Sequence, residues 1–273
     1  MNNSEFVQAL RTGKHVVGTL IVSTAPKWPS VVATLNLDFV FIDTEHIALD
    51  RSQVSQMCHS YQNLGLPPIV RIPSPDPYAA SMALDGGAAG IVAPYVETPE
   101  QVLDLVGAVK YRPLKGRKLQ EILENRSRIE PGLSEYTSAR NGNNAVIVNI
   151  ESVPAVEALD EILNVEGLDA VLIGPHDLSC SLGIPEQYTH PKFYRAVETI
   201  IEKARAKNIG AGIHVTFQSG FEDEKIWAMK GANLIVHSAD IIAFQLAMRN
   251  EIDAIREALS GLNSEETLRN INI

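Results

Sequence analysis

Cysteine is scarce in this chain of 273 residues: Cys58 and Cys180 are the only two, far apart and without C-x-x-C spacing. That excludes a disulfide framework or a zinc knuckle and suits a reducing compartment. Positive charge is also in deficit, with 23 Lys and Arg against 33 Asp and Glu and a formal net charge of -10. An acidic surface disfavours phosphate backbones and anionic membranes, so no nucleic acid and no membrane partner is expected. No apolar run reaches the roughly 20 residues of a membrane-spanning helix. The first residues lack the basic region and apolar core of a signal peptide, so a cytoplasmic location is expected. No composition break or Gly/Ser linker divides the chain. At this size one core can bury roughly three quarters of the unfolded surface, and residues 1–273 read as a single α/β domain.

What the chain does have is a series of short, near-continuous apolar runs. They lie at His15 to Ile21, Phe39 to Thr44, Pro67 to Ile72, Gly90 to Val96, Ala145 to Ile150, Asp169 to Ile173, Ile209 to Val215 and Asn233 to His237. Runs of this kind suit parallel strands covered on both faces. Helical patterns lie between them. Asp50 to Leu64 opens on a capping aspartate, Thr98 to Lys110 on Thr-Pro-Glu, and His190 to Lys207 carries Pro191 near its start. Eight such units favour a closed (β/α)8 TIM barrel. An open sheet calls for a glycine-rich phosphate turn after its first strand, and Val22 to Pro29 has none. A charged insertion, 111–144, follows strand four and is expected to form a variable active-site or interface loop. Ile241 to Leu259 reads as a closing amphipathic helix, and 263–273 as a polar tail.

Two further absences narrow the chemistry. No lysine falls inside the eight runs, which disfavours a Schiff-base aldolase, and no G-x-S-x-G elbow appears. The carboxyl ends of the strands, where barrels of this type place catalytic groups, carry Asp43-Thr44-Glu45-His46, Arg71, Asn149-Ile150-Glu151 and Gly174-Pro175-His176-Asp177. Glu151 and Asp177 follow adjacent strands. Carboxylates that close repel, and a hard divalent cation would compensate them; solvated loop acids or helix caps are the ordinary alternative. Arg71 inside an apolar strand needs an anion, either from a substrate or from one of the barrel's own acids. His46, with Asp43 and Glu45 nearby, has the makings of a general base, although a loop histidine is the commoner fate. His214 and His237 end strands seven and eight, where they either line the mouth or pack.

In this order and spacing Asp43-Thr44-Glu45-His46, Arg71-Ile72-Pro73, Gly90 to Thr98, Ile150-Glu151 and Gly174 to Leu178 resemble the HpcH/HpaI group of metal-dependent class II pyruvate aldolases, from about Gly18 to Asp240. The resemblance implies a hexamer (a trimer of dimers or a dimer of trimers) with Mg2+, Mn2+ or Co2+ on Glu151 and Asp177 and no organic cofactor. It implies reversible cleavage of 4-hydroxy-2-oxo acids to a 2-keto acid such as pyruvate and an aldehyde, through an enolate stabilised by the ion and Arg71. His46, oriented by Asp43, becomes the proton-transfer group. Asp85, at the far end of its own barrel, would raise its basicity across a subunit interface. Asn149, Gly174, Pro175 and His176 face substrate. Three features depart from the pattern: Asn149 replaces a glutamine, His176 a small residue, and Lys110 to Lys118 an Arg-Tyr-Pro-Pro-x-Gly-x-Arg-Gly stretch. The rival readings are a malyl- or citramalyl-CoA-type lyase using Lys110, Arg112, Lys115, Arg117 and Lys118, phosphoryl transfer on phosphoenolpyruvate, and a non-catalytic 2-keto-acid-binding barrel.

Overall fold

In the computed structural model the eight apolar runs are eight parallel strands that pair in sequence order and close on themselves. They are β1 (Val16–Leu20), β2 (Phe39–Asp43), β3 (Pro68–Arg71), β4 (Gly90–Ala93), β5 (Ala145–Asn149), β6 (Ala170–Ile173), β7 (Gly210–Val215) and β8 (Leu234–Ala239). The helices are α1 (Asn3–Thr12), α2 (Trp28–Val32), α3 (Arg51–Asn63), α4 (Pro77–Asp85), α5 (Pro99–Lys110), α6 (Gly116–Glu124), α7 (Pro131–Asn141), α8 (Val153–Glu157), α9 (Leu159–Ile162), α10 (Pro175–Ser181), α11 (Pro191–Ala206), α12 (Phe221–Met229) and α13 (Asp240–Arg269). The structure describes residues 1–216 and 220–269, with 261–269 as backbone only. Among the described residues no helix is long and apolar enough to cross a membrane.

Strand alternation builds two apolar layers. One fills the lumen with Leu20, Phe39, Phe41, Ile69, Val92, Ile147, Leu172 and Val236. The other packs the outward residues, such as Val40, Ile91, Val148 and Ile173, against the helices. The lumen is closed below by Phe6, Val7, Ala9 and Leu10 of α1, a helix started by an Asn2–Glu5 capping box. Gly18 makes room for Phe39: a Cβ there would lie 2.6 Å from its ring.

At the same lower end Asp169, fully buried, accepts from Arg11 Nε at 3.0 Å, Lys110 Nζ at 2.7 Å and the Val146 N–H at 2.9 Å. Asp169→Asn removes the charge from this cluster and leaves two cations facing a neutral amide. A loss of about 3 to 5 kcal/mol in urea-unfolding stability is expected, as when one member of a buried ion cluster is deleted.

Three expectations need correction. The stretch 111–144 is not an open loop; it carries α6 and α7, packed beside α5, and none of its residues lines the barrel-mouth cavity. Leu119, Ile122 and Leu123 of α6 stand at helical i, i+3, i+4 spacing, with Ile122 fully buried, but the charges around them obscure the pattern. The expected tail 263–273 is helical as far as Arg269, with 270–273 outside the described residues. The helix that was to close the barrel forms but does not close it. On α13 Ile241, Phe244, Met248, Ile252, Ile255 and Leu259 all stay exposed.

Candidate active site

Inward alternation continues past the lumen core to the barrel's upper rim. After Phe39 and Phe41 the next inward residue of β2 is Asp43; after Ile69 it is Arg71 on β3; after Ile147 it is Asn149 on β5. Asp43 and Arg71 are register partners, so their side chains meet. Arg71 Nε donates to Asp43 Oδ1 at 2.8 Å and Nη2 to Oδ2 at 2.6 Å, while Nη1 lies 3.1 Å from Glu45 Oε2. This two-pronged geometry is the strong form of an ion pair. Burial acts to raise the Asp43 pKa, but the Arg71 fork outweighs it and holds the carboxyl below its ordinary value. Burial likewise pushes the Glu45 carboxyl up, with Arg71 opposing it. The barrel's own acids are therefore the anions that Arg71 meets. Its remaining N–H groups stay uncommitted on a side chain only 11% exposed.

Glu151 and Asp177 are tied together by a residue that the motif reading quoted without assigning a role. The Tyr95 N–H donates to Glu151 Oε1 at 2.7 Å and its phenol donates to Asp177 Oδ1 at 3.0 Å. Tyr95 follows β4 with φ of 47°, a left-handed conformation costly for a large side chain. Asn149 Nδ2 donates to Glu151 Oε2 at 2.9 Å, leaving its buried Oδ1 without a partner among the described residues. Gly174 caps α10 beside the same carboxylate; a Cβ there would lie 2.1 Å from Glu151 Oε2. Burial, aided by the charges of Asp177 and Glu45, pushes Glu151 up to about 7 despite its two hydrogen bonds.

The imidazoles are placed differently from expectation. Asp43 does not orient His46: its carboxylate is taken by Arg71 and the Glu45 N–H. The carboxylate nearest His46 is Glu45, at 3.7 Å, and the ring is largely exposed. His176 stands at the rim, 3.9 Å from Cys180 Sγ and 3.9 Å from Glu186. Asp85 ends α4, pairs with Arg112 and lines a separate outer groove of about 530 Å³ between α3 and α4. Within one chain it does not reach His46. Asp43, His46, Arg71, Asn149, Gly174, Pro175, His176 and Asp177 do share one cavity of about 340 Å³, lined also by Leu20, Ile47, Tyr188, His214 and Thr216; Glu151 does not line it and reaches it through Asn149.

The residues fit a hard divalent ion. The donor set is oxygen only, two carboxylates from neighbouring strand ends beside an orphaned amide oxygen, and Glu151, raised by burial and by the charges of Asp177 and Glu45, is a carboxylate that a cation would relieve. No cluster of three or more His, Cys, Asp and Glu among the described residues makes a complete protein cage.

A family model described as HpcH/HpaI aldolase/citrate lyase matches residues 18–242. A 2-keto-3-deoxy-L-rhamnonate aldolase of Salmonella gallinarum is 30% identical over 261 residues, spanning 94% of this chain and 95% of its own. The crystal structure of an HpcH/HpaI aldolase from Desulfitobacterium hafniense is similar with a TM-score of 0.79 and 30% identity, over 92% of this chain and 96% of that one. A citrate synthase of known structure has a TM-score of 0.78 and 28% identity, over 93% and 98%.

Proposed function

We propose, because the chain belongs to the HpcH/HpaI aldolase/citrate lyase family, that this cavity reversibly cleaves 4-hydroxy-2-oxo acids into pyruvate, or a similar 2-keto acid, and an aldehyde. The protein is a carbon–carbon lyase of the aldolase type. The observation that carries the residue-level reading is the meeting of two sets at one barrel mouth: the Arg71–Asp43 fork and Asp177 line the cavity, and Glu151, just behind its wall, is tied to Asp177 through Tyr95 and to the cavity residue Asn149.

Glu151 and Asp177 would hold a divalent ion, Mg2+, Mn2+ or Co2+, which supplies Lewis-acid polarisation of a keto oxygen; the chemistry needs no organic cofactor. Arg71 is clamped by Asp43 and Glu45, so its free N–H groups are fixed before substrate arrives. They donate to the keto oxygen as negative charge gathers there, the moment at which a preorganised donor matters most. His46, with an accessible ring on the same wall, takes the C4 hydroxyl proton as the C3–C4 bond breaks. Asn149 holds Glu151 in place. Gly174, Pro175 and His176 form the wall beside Asp177, where N–H groups of the first turn of α10 suit a carboxylate.

Two observations weigh against the CoA-thioester alternative: none of its five basic residues lines the barrel-mouth cavity, and Lys110 and Arg112 are paired with Asp169 and Asp85.

The direct test is exchange of pyruvate methyl protons with deuterated water, followed by NMR. Exchange is expected only with protein and Mn2+ together, and borohydride with pyruvate is expected to trap nothing. Exchange that survives complete chelation would refute the assignment of the ion to Glu151 and Asp177.

A homo-oligomer, specifically a hexamer, is part of this reading. The outward residues of β1 and β8, Val17, Thr19, Ile235 and His237, stay partly exposed, whereas those of β2, β4, β5 and β6 are buried. The barrel thus lacks helical cover where α13 departs, and α13 carries an uncovered apolar stripe. A second copy of the chain supplies both needs. Phe244→Glu with Ile252→Glu is expected to shift light-scattering mass towards the monomer; an unchanged mass would remove α13 from the interface.

A further inference from the structure

His214 is a histidine of the cavity wall that the reaction above does not use. It is the top inward residue of β7, above Gly210 and Gly212, and it lines the mouth cavity with part of its ring open. Its ring meets Phe41 edge-on at 5.4 Å, and the Arg71 guanidinium lies 5.7 Å from the centre of the same Phe41 ring. His214 therefore belongs to the chamber that holds the Arg71–Asp43 pair.

The hydrogen bonding fixes its tautomer. Nε2 lies 3.2 Å from the carbonyl oxygen of Ser238, a residue at φ of 53°. A carbonyl only accepts, so Nε2 carries the hydrogen and Nδ1 carries a lone pair. The Nε2 contact is the only hydrogen bond of the ring among the described residues. Burial lowers the ring's pKa to about 4, and the nearby Arg71 charge acts in the same direction, so the ring stays neutral at working pH. A neutral acceptor repels carboxylate and keto oxygens and attracts a hydroxyl.

We propose that His214 is a specificity-determining residue whose Nδ1 accepts a hydrogen bond from a hydroxyl on the substrate's carbon chain, so that the cavity favours hydroxylated substrates over their deoxy counterparts. This rests on the aldolase reading and extends it to the substrate class. The hydroxyl belongs either to the 2-keto-acid half or to the aldehyde half, and the test separates the two.

His214→Leu keeps the bulk and removes the acceptor, whereas His214→Asn can return an amide oxygen near the Nδ1 position. With Mn2+ present, two matched ratios of kcat/KM are measured. One compares proton exchange of hydroxypyruvate with that of pyruvate; the other compares addition of pyruvate to lactaldehyde with addition to propanal. In the Leu variant one of the two ratios is expected to fall about tenfold, the worth of a hydrogen bond in a desolvated site, and the Asn variant is expected to recover most of it. The ratio that falls identifies the half that bears the hydroxyl. Both ratios unchanged in the Leu variant, or an Asn variant no better than Leu, would overturn the proposal. A Leu variant that fails to fold leaves the decision to Asn against wild type, where a tenfold fall in both ratios would contradict it. If the wild type exchanges no pyruvate protons with Mn2+, the aldolase reading fails first. Exchange with unshifted ratios removes only the role of His214.

Discussion

Arg71→Ala is expected to lower pyruvate proton exchange and aldol cleavage together, each by about a thousandfold, the scale set by losing a preorganised donor to a developing oxyanion. Both reactions pass through the same enolate, so the two losses should match. The variant also strands Asp43 and Glu45, which Arg71 neutralises at 2.6 and 3.1 Å, beside the already crowded Glu151 and Asp177. Arg71→Lys is expected to recover little, because a point charge cannot reproduce the fork on Asp43. Exchange rates by NMR and cleavage rates by coupled assay decide the matter. If exchange persists while cleavage is lost, Arg71 serves the aldehyde half and the assignment is wrong.

Removal of divalent ions is expected to abolish exchange and cleavage, with Mn2+ or Co2+ restoring both. Glu151 gives this a second readout that does not depend on turnover. Its pKa rises from 4.5 in the unfolded chain to about 7 in the metal-free fold, through burial first and its acidic neighbours second. Between those values Glu151 binds more protons in the folded state than in the unfolded state, so its contribution to metal-free stability is greatest below the lower one and is lost as pH rises through the upper one. The loss amounts to about 3 kcal/mol. Asp43, whose pKa is lowered, works in the opposite sense only below the ordinary aspartate range, but His214, lowered by burial from 6.5 to about 4, works in the opposite sense over much of the same window. The Glu151 contribution is therefore read as a difference: between about pH 5 and pH 8 the metal-free wild type should lose stability relative to Glu151→Gln. Mn2+ should raise the wild-type melting temperature more at the upper pH, where no proton competes for Glu151, a gain that Glu151→Gln should blunt. A difference between wild type and Glu151→Gln that stays flat over that range would mean that Glu151 is not the strained carboxylate described here.

The fold was legible because its signals are local. Each apolar run became a strand within a residue or three of its expected ends, and Asp50, Thr98 and His190 cap the helices that they were read to start. The α1 capping box of Asn2 and Glu5, with the apolar Phe6, Val7, Ala9 and Leu10 directly after it, was equally local and went unread. The stretch 111–144 misled because charge density masked two helices whose apolar contacts are few.

The candidate site divides along the same line. Residue types at strand ends, namely Asp43, Arg71, Asn149, Glu151 and Asp177, follow from chain order, since an inward position at a parallel strand's carboxyl end faces the mouth whatever its neighbours. Which partner each takes depended on register between strands. The one-to-one pairing of Asp43 with Arg71 withdrew that acid from His46. Tyr95 joins Glu151 to Asp177 across 56 and 82 positions of chain, and the side-by-side pairing of β4, β5 and β6 sets that approach. The apolar pattern of α13 determined that a helix forms, but not what it covers. Propensity and capping act within a few residues, whereas the face a helix buries is chosen by the surface it meets; in one chain that stripe meets none.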